Sequence, residues 1–182
     1  MPKTRALVPL ADGVEEMEAV IIVDVLRRAD WLVTTASISG KVVTASRGIR
    51  LMPDVDWNEI AVEDFDAFVL PGGARAATAF CEDHRILAAA RAYARPPRLL
   101  AAICSAPLVL HAAGVLVDRC VTCHPSVAQQ LTGVRLRQEP VVVDWNIVTA
   151  RGAGAAFEFA LTLIRLNDGA KNADDIAEAI ML

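Results

Sequence analysis

The sequence predicts an α/β fold, with a doubly wound and mostly parallel sheet sandwiched between helices. Short apolar segments alternate along the chain with longer segments of helical spacing, which is the pattern of strands joined by helical crossovers. Several apolar segments carry no charge, as expected for strands buried on both faces. The 182 residues suffice for one domain with a full core, and we expect residues 1–182 to form it.

The elements of the first half follow from apolar spacing and from the turns between them. Residues 15–29 predict a helix, with acidic residues in the first turn and Arg27 and Arg28 in the last, as the helix dipole favours. The alanine-rich residues 74–93 predict a second helix. Strands are predicted where short apolar runs end at turns, over residues 5–10, 31–39, 42–44, 49–52 and 65–70.

The second half opens with residues 99–103, an uncharged run that predicts another strand buried on both faces. A helix follows, with Pro107 in its first turn and Gly114 where it ends. The remaining predicted elements are strands over residues 119–122, 134–136, 141–143 and 147–150, a helical turn over 125–131, and helices over 154–166 and 173–182.

Composition excludes several classes of function. With 18 basic and 22 acidic residues the formal charge is −4, and no basic stripe or aromatic platform is present, so we expect no nucleic-acid partner. The mean hydropathy of +0.40 is high, but no apolar stretch is long enough to span a bilayer and the chain start lacks a signal-peptide pattern. We therefore expect a cytoplasmic protein with no membrane partner. The excess apolar content indicates a doubly covered sheet and a buried subunit interface.

Cys104 lies where the predicted strand 99–103 gives way to a helix. A thiol on such a sharp turn lies above the sheet, near backbone N–H groups that lower its pKa and can hold an anion. The turn is similar to a nucleophile elbow, with Ala102 and Ala106 where that motif has glycine. The alternative is a buried structural thiol, because free cysteine is a common core residue.

Glu18 is the second candidate, since it shares a helix face with the apolar Ile21 and Val25. A carboxyl buried there has a raised pKa and can stay protonated, so that it donates a hydrogen bond to a neighbouring thiolate. The alternative is a favourable first-turn charge, which is the interpretation we apply to Glu15 and Glu16.

Other candidates lie at neighbouring strand ends. Gly72-Gly73 allows close backbone approach and offers N–H donors to an oxyanion, although phosphate-loop spacing is absent. His124 can act as base or orienter for a cysteine, or simply cap a turn. Cys120-x-x-Cys123-His124 has the spacing of haem attachment and of half a zinc site, but no second cysteine pair completes it. We expect free thiols, no metal and no haem.

Five segments carry a family resemblance, in the same order over nearly the whole chain. They are residues 11–18 (ADGVEEME), 69–73 (VLPGG), 101–107 (AAICSAP), 122–125 (TCHP) and 149–160 (TARGAGAAFEFA). Together they resemble the ThiJ/PfpI superfamily, in the branch of the parkinsonism-associated deglycase and its bacterial relatives.

The resemblance implies a flavodoxin-like sandwich that forms a homodimer and needs no cofactor. It implies a reactive cysteine, a protonated glutamate and a nearby histidine, which fall on Cys104, Glu18 and His124. Backbone donors fall on Gly73 and Ser105. The peptidase branch is less similar, because it carries histidine where this chain has Ser105.

The implied function is that of a cysteine-dependent glyoxalase or deglycase acting on methylglyoxal, glyoxal or their early adducts with amino and thiol groups, in protection against oxidative or carbonyl stress. Cys104 would add to the aldehyde carbon while Glu18 carries protons. One alternative is a non-enzymatic redox sensor or chaperone in which Cys104 is oxidised to a sulfinate. The other is a thiol peptidase or amidase, which needs a positioned base.

Overall fold

A seven-stranded sheet forms the centre of the structure, a computed structural model that describes residues 3–182. The strands of residues 3–182 are β1 (Arg5–Leu10), β2 (Leu32–Ser37), β3 (Val43–Thr44), β4 (Arg50–Leu51), β5 (Val55–Asp56), β6 (Ala67–Leu70), β7 (Leu99–Ile103), β8 (Cys120–Val121), β9 (Arg135–Leu136), β10 (Val141–Asp144) and β11 (Ile147–Ala150). Strands β3 and β4 form a separate two-stranded sheet, as do β8 and β9. The order in the main sheet is β10-β11-β7-β6-β1-β2-β5, and within this sheet, as described for residues 3–182, only the β10–β11 pair is antiparallel. The predicted, mostly parallel α/β sheet is confirmed.

Helices cover both faces of this sheet. They are α1 (Glu16–Arg28), α2 (Ala74–Glu82), α3 (His84–Tyr93), α4 (Pro107–Ala112), α5 (Ala156–Asp168) and α6 (Ala170–Ala179). Helix α5 packs on α1 and α6, whereas α2, α3 and α4 pack on one another. Helices α4 and α5 both contact β7, yet within residues 3–182 the two groups of helices do not pack on each other, so they lie on opposite faces of the sheet, as in a doubly wound fold. No helix within residues 3–182 combines the length and the apolar character needed to cross a membrane.

The central strands place the turns that matter for chemistry at one edge. Strands β1, β6, β7 and β11 are almost entirely buried, in line with their uncharged sequences. In the parallel register Leu70 of β6 lies beside Ala102 of β7, and Ile103 lies beside Ala150 of β11. The segments that follow β1, β6 and β7 therefore meet at the carboxyl edge of the sheet, where ligands bind in such folds.

The prediction of a single helix over residues 74–93 is wrong. Asp83 ends α2 and caps α3, because its carboxylate accepts a hydrogen bond from the Arg85 backbone N–H at 2.8 Å. The alanine-rich sequence on both sides has high helix propensity and conceals the break. The short edge strand β5 was not predicted, whereas the other predicted elements agree in kind with the structure.

Candidate active site

Cys104 directly follows β7 and occupies a sharp turn. Its φ of 65° lies in the left-handed region, which strains a non-glycine residue by about 1–3 kcal/mol. Two backbone hydrogen bonds hold it there: its N–H donates to the carbonyl of Ala150, and its carbonyl accepts from the N–H of His124, both at 2.8 Å. The turn leaves the Cys104 side chain only partly buried. The structure thus contains the strand-to-helix elbow that the sequence predicts.

Glu18 projects from α1 towards this elbow and is fully buried. The backbone N–H of Gly72 donates to its Oε2 at 2.7 Å. Its Oε1 has no hydrogen-bond partner within residues 3–182, and the carboxyl lies close enough to the Cys104 thiol for each group to shift the pKa of the other. Burial raises the pKa of Glu18 to about 7, although the Gly72 N–H and the thiol act to lower it. Glu18 can therefore gain and lose a proton near neutral pH.

The thiol of Cys104 does not have the low pKa expected of an elbow cysteine. Burial, reinforced by the charge and hydrogen bond of Glu18, raises its pKa to about 12. The backbone N–H groups of Gly73 and Ser105 act in the opposite direction but are outweighed. When Glu18 is ionised the thiol keeps its proton, so the two groups titrate as a pair. Cys104 needs a base to become a nucleophile, and the Glu18 carboxylate is in place for that role.

Two glycines make the close approach between α1 and the elbow possible. A Cβ on Gly72 would lie 2.6 Å from the Cys104 Cβ and 2.7 Å from Glu18 Oε2. Gly73 has a φ of 101°, and a Cβ there would lie 2.6 Å from the backbone nitrogen of Glu15. Sequence reasoning expected this pair to approach a ligand closely, whereas the close neighbours in the structure are protein atoms. It did not anticipate that the Gly72 N–H holds Glu18.

His124 lies beside the elbow and is oriented by its own turn. Its Nδ1 accepts a hydrogen bond from the Ser126 backbone N–H at 3.2 Å and lies 2.7 Å from Ser126 Oγ. A Cβ on Gly152 would lie 3.6 Å from His124 Cδ2 and 4.0 Å from Cys104 Sγ, so the ring and the sulfur border the same space. Because Nδ1 accepts, the neutral ring carries its proton on Nε2.

All five predicted site residues line one cavity of about 590 Å³: Glu18, Gly73, Cys104, Ser105 and His124. Sequence reasoning missed two arginines of the same lining, Arg47 and Arg75, for which no motif gave a signal. A larger cavity of about 730 Å³ lies beside β5, but its lining contains neither cysteine nor histidine. Within residues 3–182, no three histidine, cysteine or acidic side chains are grouped so that they could hold a metal ion.

Glu16 is more than the first-turn charge that we expected. It is buried, and its two carboxylate oxygens accept hydrogen bonds from Ser46 Oγ at 2.7 Å and from the Arg47 backbone N–H at 2.8 Å. Burial acts to raise the pKa of Glu16, but the hydrogen bonds from Ser46 and the backbone outweigh it and hold the pKa below its ordinary value. Glu16 thereby fixes the loop that carries Arg47 against α1. Glu15 caps α1 by accepting from the Glu18 N–H at 2.8 Å.

Comparisons with known proteins cover almost the whole chain. The profile of the DJ-1/PfpI family matches residues 4–166. The chain is 38% identical over 180 residues to Protein dj-1beta of Drosophila melanogaster, covering 97% of this chain and 96% of that protein. It is 32% identical over 178 residues to the glutathione-independent glyoxalase DJR-1.2 of Caenorhabditis elegans, covering 97% and 94%.

Solved structures give the same result. The crystal structure of Drosophila melanogaster DJ-1beta superposes with a TM-score of 0.95 at 37% identity, covering 100% of this chain and 99% of that one. This similarity extends over every element that carries the site. It agrees with the five motifs and with the family profile, and the chain therefore belongs to the DJ-1/PfpI family.

Proposed function

We propose that the chain is a cofactor-independent enzyme of the glyoxalase or deglycase type, acting on methylglyoxal, glyoxal or their early adducts. The observation that carries this proposal is the buried pair of Glu18 and Cys104, with the Gly73 and Ser105 N–H groups directed at the sulfur. Family membership supports it, since one relative is named a glutathione-independent glyoxalase.

The first step is addition of the thiol to the aldehyde. The ionised Glu18 carboxylate takes the proton of Cys104 as a bond forms between sulfur and the aldehyde carbon. The carbonyl electron pair becomes an oxyanion, which the N–H groups of Gly73 and Ser105 can receive. Protonation of that oxygen gives a thiohemiacetal. A carboxyl with a pKa of about 7 suits both proton transfers at neutral pH.

The second step moves a hydrogen between two adjacent carbons. For a 2-oxoaldehyde, Glu18 removes the proton from the carbon bonded to sulfur and returns it to the former ketone carbon. One carbon is oxidised and its neighbour is reduced, so no external oxidant is needed. Water then cleaves the resulting thioester, which releases the 2-hydroxy acid and restores the thiol. His124, fixed by Ser126, is positioned to orient that water.

The proposal is tested by following lactate formation from methylglyoxal. We expect Cys104→Ala to leave only a small residual rate and Glu18→Gln to reduce the rate by at least about 100-fold. Cys81→Ala is the matched control, since it removes a half-buried thiol that lies outside the cavity lining. Equal rates in wild type and Cys104→Ala, or no lactate from any variant, contradict the proposal.

A redox sensor or chaperone is the second candidate function. The N–H groups of Gly73 and Ser105 and the protonated form of Glu18 can bind the oxygens of a Cys104 sulfinate. The raised thiol pKa opposes rapid oxidation, because the thiolate is the reactive form. Mass spectrometry after mild peroxide decides: two added oxygens on Cys104 support this function, and oxidation confined to Cys81 or Cys120 contradicts it.

We also propose that the protein forms a homodimer through α1 and the β3–β4 hairpin. Met17 and Val20 on α1 are 55% and 51% exposed, and Met52, next to β4, is 81% exposed. Val20 and Met52 line one shallow cavity, so these apolar side chains form a continuous surface. Light scattering should give twice the chain mass for wild type and a shift towards monomer for Met52→Lys. A monomeric wild type at every concentration contradicts the dimer.

A further inference from the structure

We propose that the cavity selects carbonyl compounds that carry an anionic group, a carboxylate or a phosphate, at the end remote from the reacting carbon. The chemistry at the reacting carbon rests on the function proposed above. The selectivity rests on Arg47 and Arg75, which line the same cavity as Cys104.

The two guanidinium groups are free to bind an anion. Within residues 3–182, neither Arg47 nor Arg75 forms a salt bridge, and neither guanidinium is hydrogen-bonded. Other arginines of the chain, such as Arg28, Arg85 and Arg119, pair with aspartates. Neither guanidinium is therefore paired with a carboxylate of the described residues, although Glu15 and Glu18 line the same cavity.

The fold holds both arginines at the cavity. Glu16 fixes the backbone of Arg47 through the loop described above. Gly13 makes room for Arg75, because a Cβ on Gly13 would lie 2.5 Å from the Arg75 Cβ. Arg75 is the second residue of α2, where the helix dipole disfavours a cation. Helix stability therefore does not explain an arginine at this position, whereas binding of an anion does.

The acidic groups of the lining do not compete for these cations. Glu15 is engaged in capping α1, and Glu18 is buried against the elbow and partly protonated at neutral pH. The cavity of about 590 Å³ also exceeds what methylglyoxal requires, since a molecule of five heavy atoms occupies on the order of 100 Å³. A longer substrate fits, with its carbonyl at Cys104 and its anionic end at the arginines.

Turnover of matched 2-oxoaldehydes tests the selectivity. The probes are methylglyoxal, which is neutral, 4,5-dioxovalerate, which carries a carboxylate, and hydroxypyruvaldehyde phosphate. For each variant we take the ratio of kcat/KM for an anionic probe to kcat/KM for methylglyoxal. We expect Arg47→Gln and Arg75→Gln each to lower this ratio about fivefold for at least one of the two anionic probes. The anionic probe whose ratio falls further shows whether the arginines prefer a carboxylate or a phosphate. Arg95→Gln removes the same charge from an exposed position outside both the lining and the proposed dimer surface, and should leave the ratio unchanged. Ratios equal to wild type in both variants overturn the proposal.

Alkylation of Cys104 gives a readout that needs no turnover. Iodoacetate and iodoacetamide form the same sulfur–carbon bond with loss of iodide, but only iodoacetate is an anion. We expect the ratio of their rates to fall in the Arg47→Gln, Arg75→Gln double variant and to recover with lysine at both positions. If that ratio depends on the arginines while no carbonyl is turned over, the proposed enzyme function fails and the anion selectivity stands. A ratio that is the same in wild type and double variant overturns the selectivity.

Discussion

Replacing Gly72 with alanine perturbs the pair of Glu18 and Cys104 without removing either reactive group. The added methyl would lie 2.6 Å from the Cys104 Cβ, 2.7 Å from Glu18 Oε2 and 2.9 Å from the Ile103 carbonyl oxygen. Two of these neighbours are the reactive side chains and the third is backbone of the buried strand β7. The clash can only be relieved by moving α1 away from the elbow, or by moving the segment that contains Gly72.

The size of the effect follows from two contributions. Overpacking of a dense site costs about 1–3 kcal/mol. Weakening the hydrogen bond from the Gly72 N–H to the buried carboxyl costs about 1.5–3 kcal/mol when the carboxyl is charged. The free energy of unfolding should therefore drop by about 2.5–6 kcal/mol, which lowers the melting temperature by roughly 5–25 °C in a chain of this size.

The assay combines calorimetry with lactate formation from methylglyoxal. Gly154→Ala is the matched control, since a Cβ there meets no atom within 4 Å and its stability should change by less than about 0.5 kcal/mol. Lactate formation per folded molecule should fall with Gly72→Ala, because the distance between the carboxyl and the sulfur changes. Melting temperature and activity equal to those of Gly154→Ala would refute the close packing described for this site.

Three further predictions concern titration, packing and orientation. Glu18 has a pKa of about 7 when folded, against an ordinary value of 4.5, so its stabilising contribution is complete below pH 4.5 and is lost as the pH rises through 7. The stability of wild type relative to Glu18→Gln should accordingly fall by about 3 kcal/mol over that interval, and a parallel pH dependence of the two melting curves would argue against it. Tyr93→Phe removes a hydroxyl that bonds the carbonyls of Val62 and Phe65, so urea denaturation should show a loss of about 1–3 kcal/mol, with lactate formation per folded molecule unchanged. Ser126→Ala removes the hydroxyl contact to His124 Nδ1 but keeps the backbone N–H that donates to it, and should lower kcat several-fold with little change in KM; an unchanged kcat would show that the backbone hydrogen bond alone orients the ring.

The sequence was sufficient to predict the sheet and to name five residues that the fold brings to one cavity. Uncharged apolar runs identified β6 and β7, and a parallel sheet necessarily brings the residues after such strands to one edge. The carboxyl of Glu18 on an apolar helix face indicated burial, which the structure shows. Each of these features follows from the polarity of residues that are close together in the sequence, so it could be predicted without knowledge of the fold.

Other features depend on contacts between distant residues and could not be read locally. Glu16 looks like a helix-terminal charge in the sequence, and only the fold brings residues 46 and 47 to it. The pKa of Cys104 depends on the balance between burial, the Glu18 charge and two N–H donors, and a motif does not give that balance. The break at Asp83 was readable in principle, because an aspartate before a helix is a common cap.

A double-mutant cycle of lactate formation tests the central claim, that Glu18 and Cys104 act as one unit. Two groups that share a single proton transfer should show strongly non-additive losses. Lactate formation from methylglyoxal should therefore be no lower in the Glu18→Gln, Cys104→Ala double variant than in Cys104→Ala alone. The contradicting result is a double variant that is slower than Cys104→Ala by the same factor by which Glu18→Gln slows the wild type. That result would mean that the two side chains act independently.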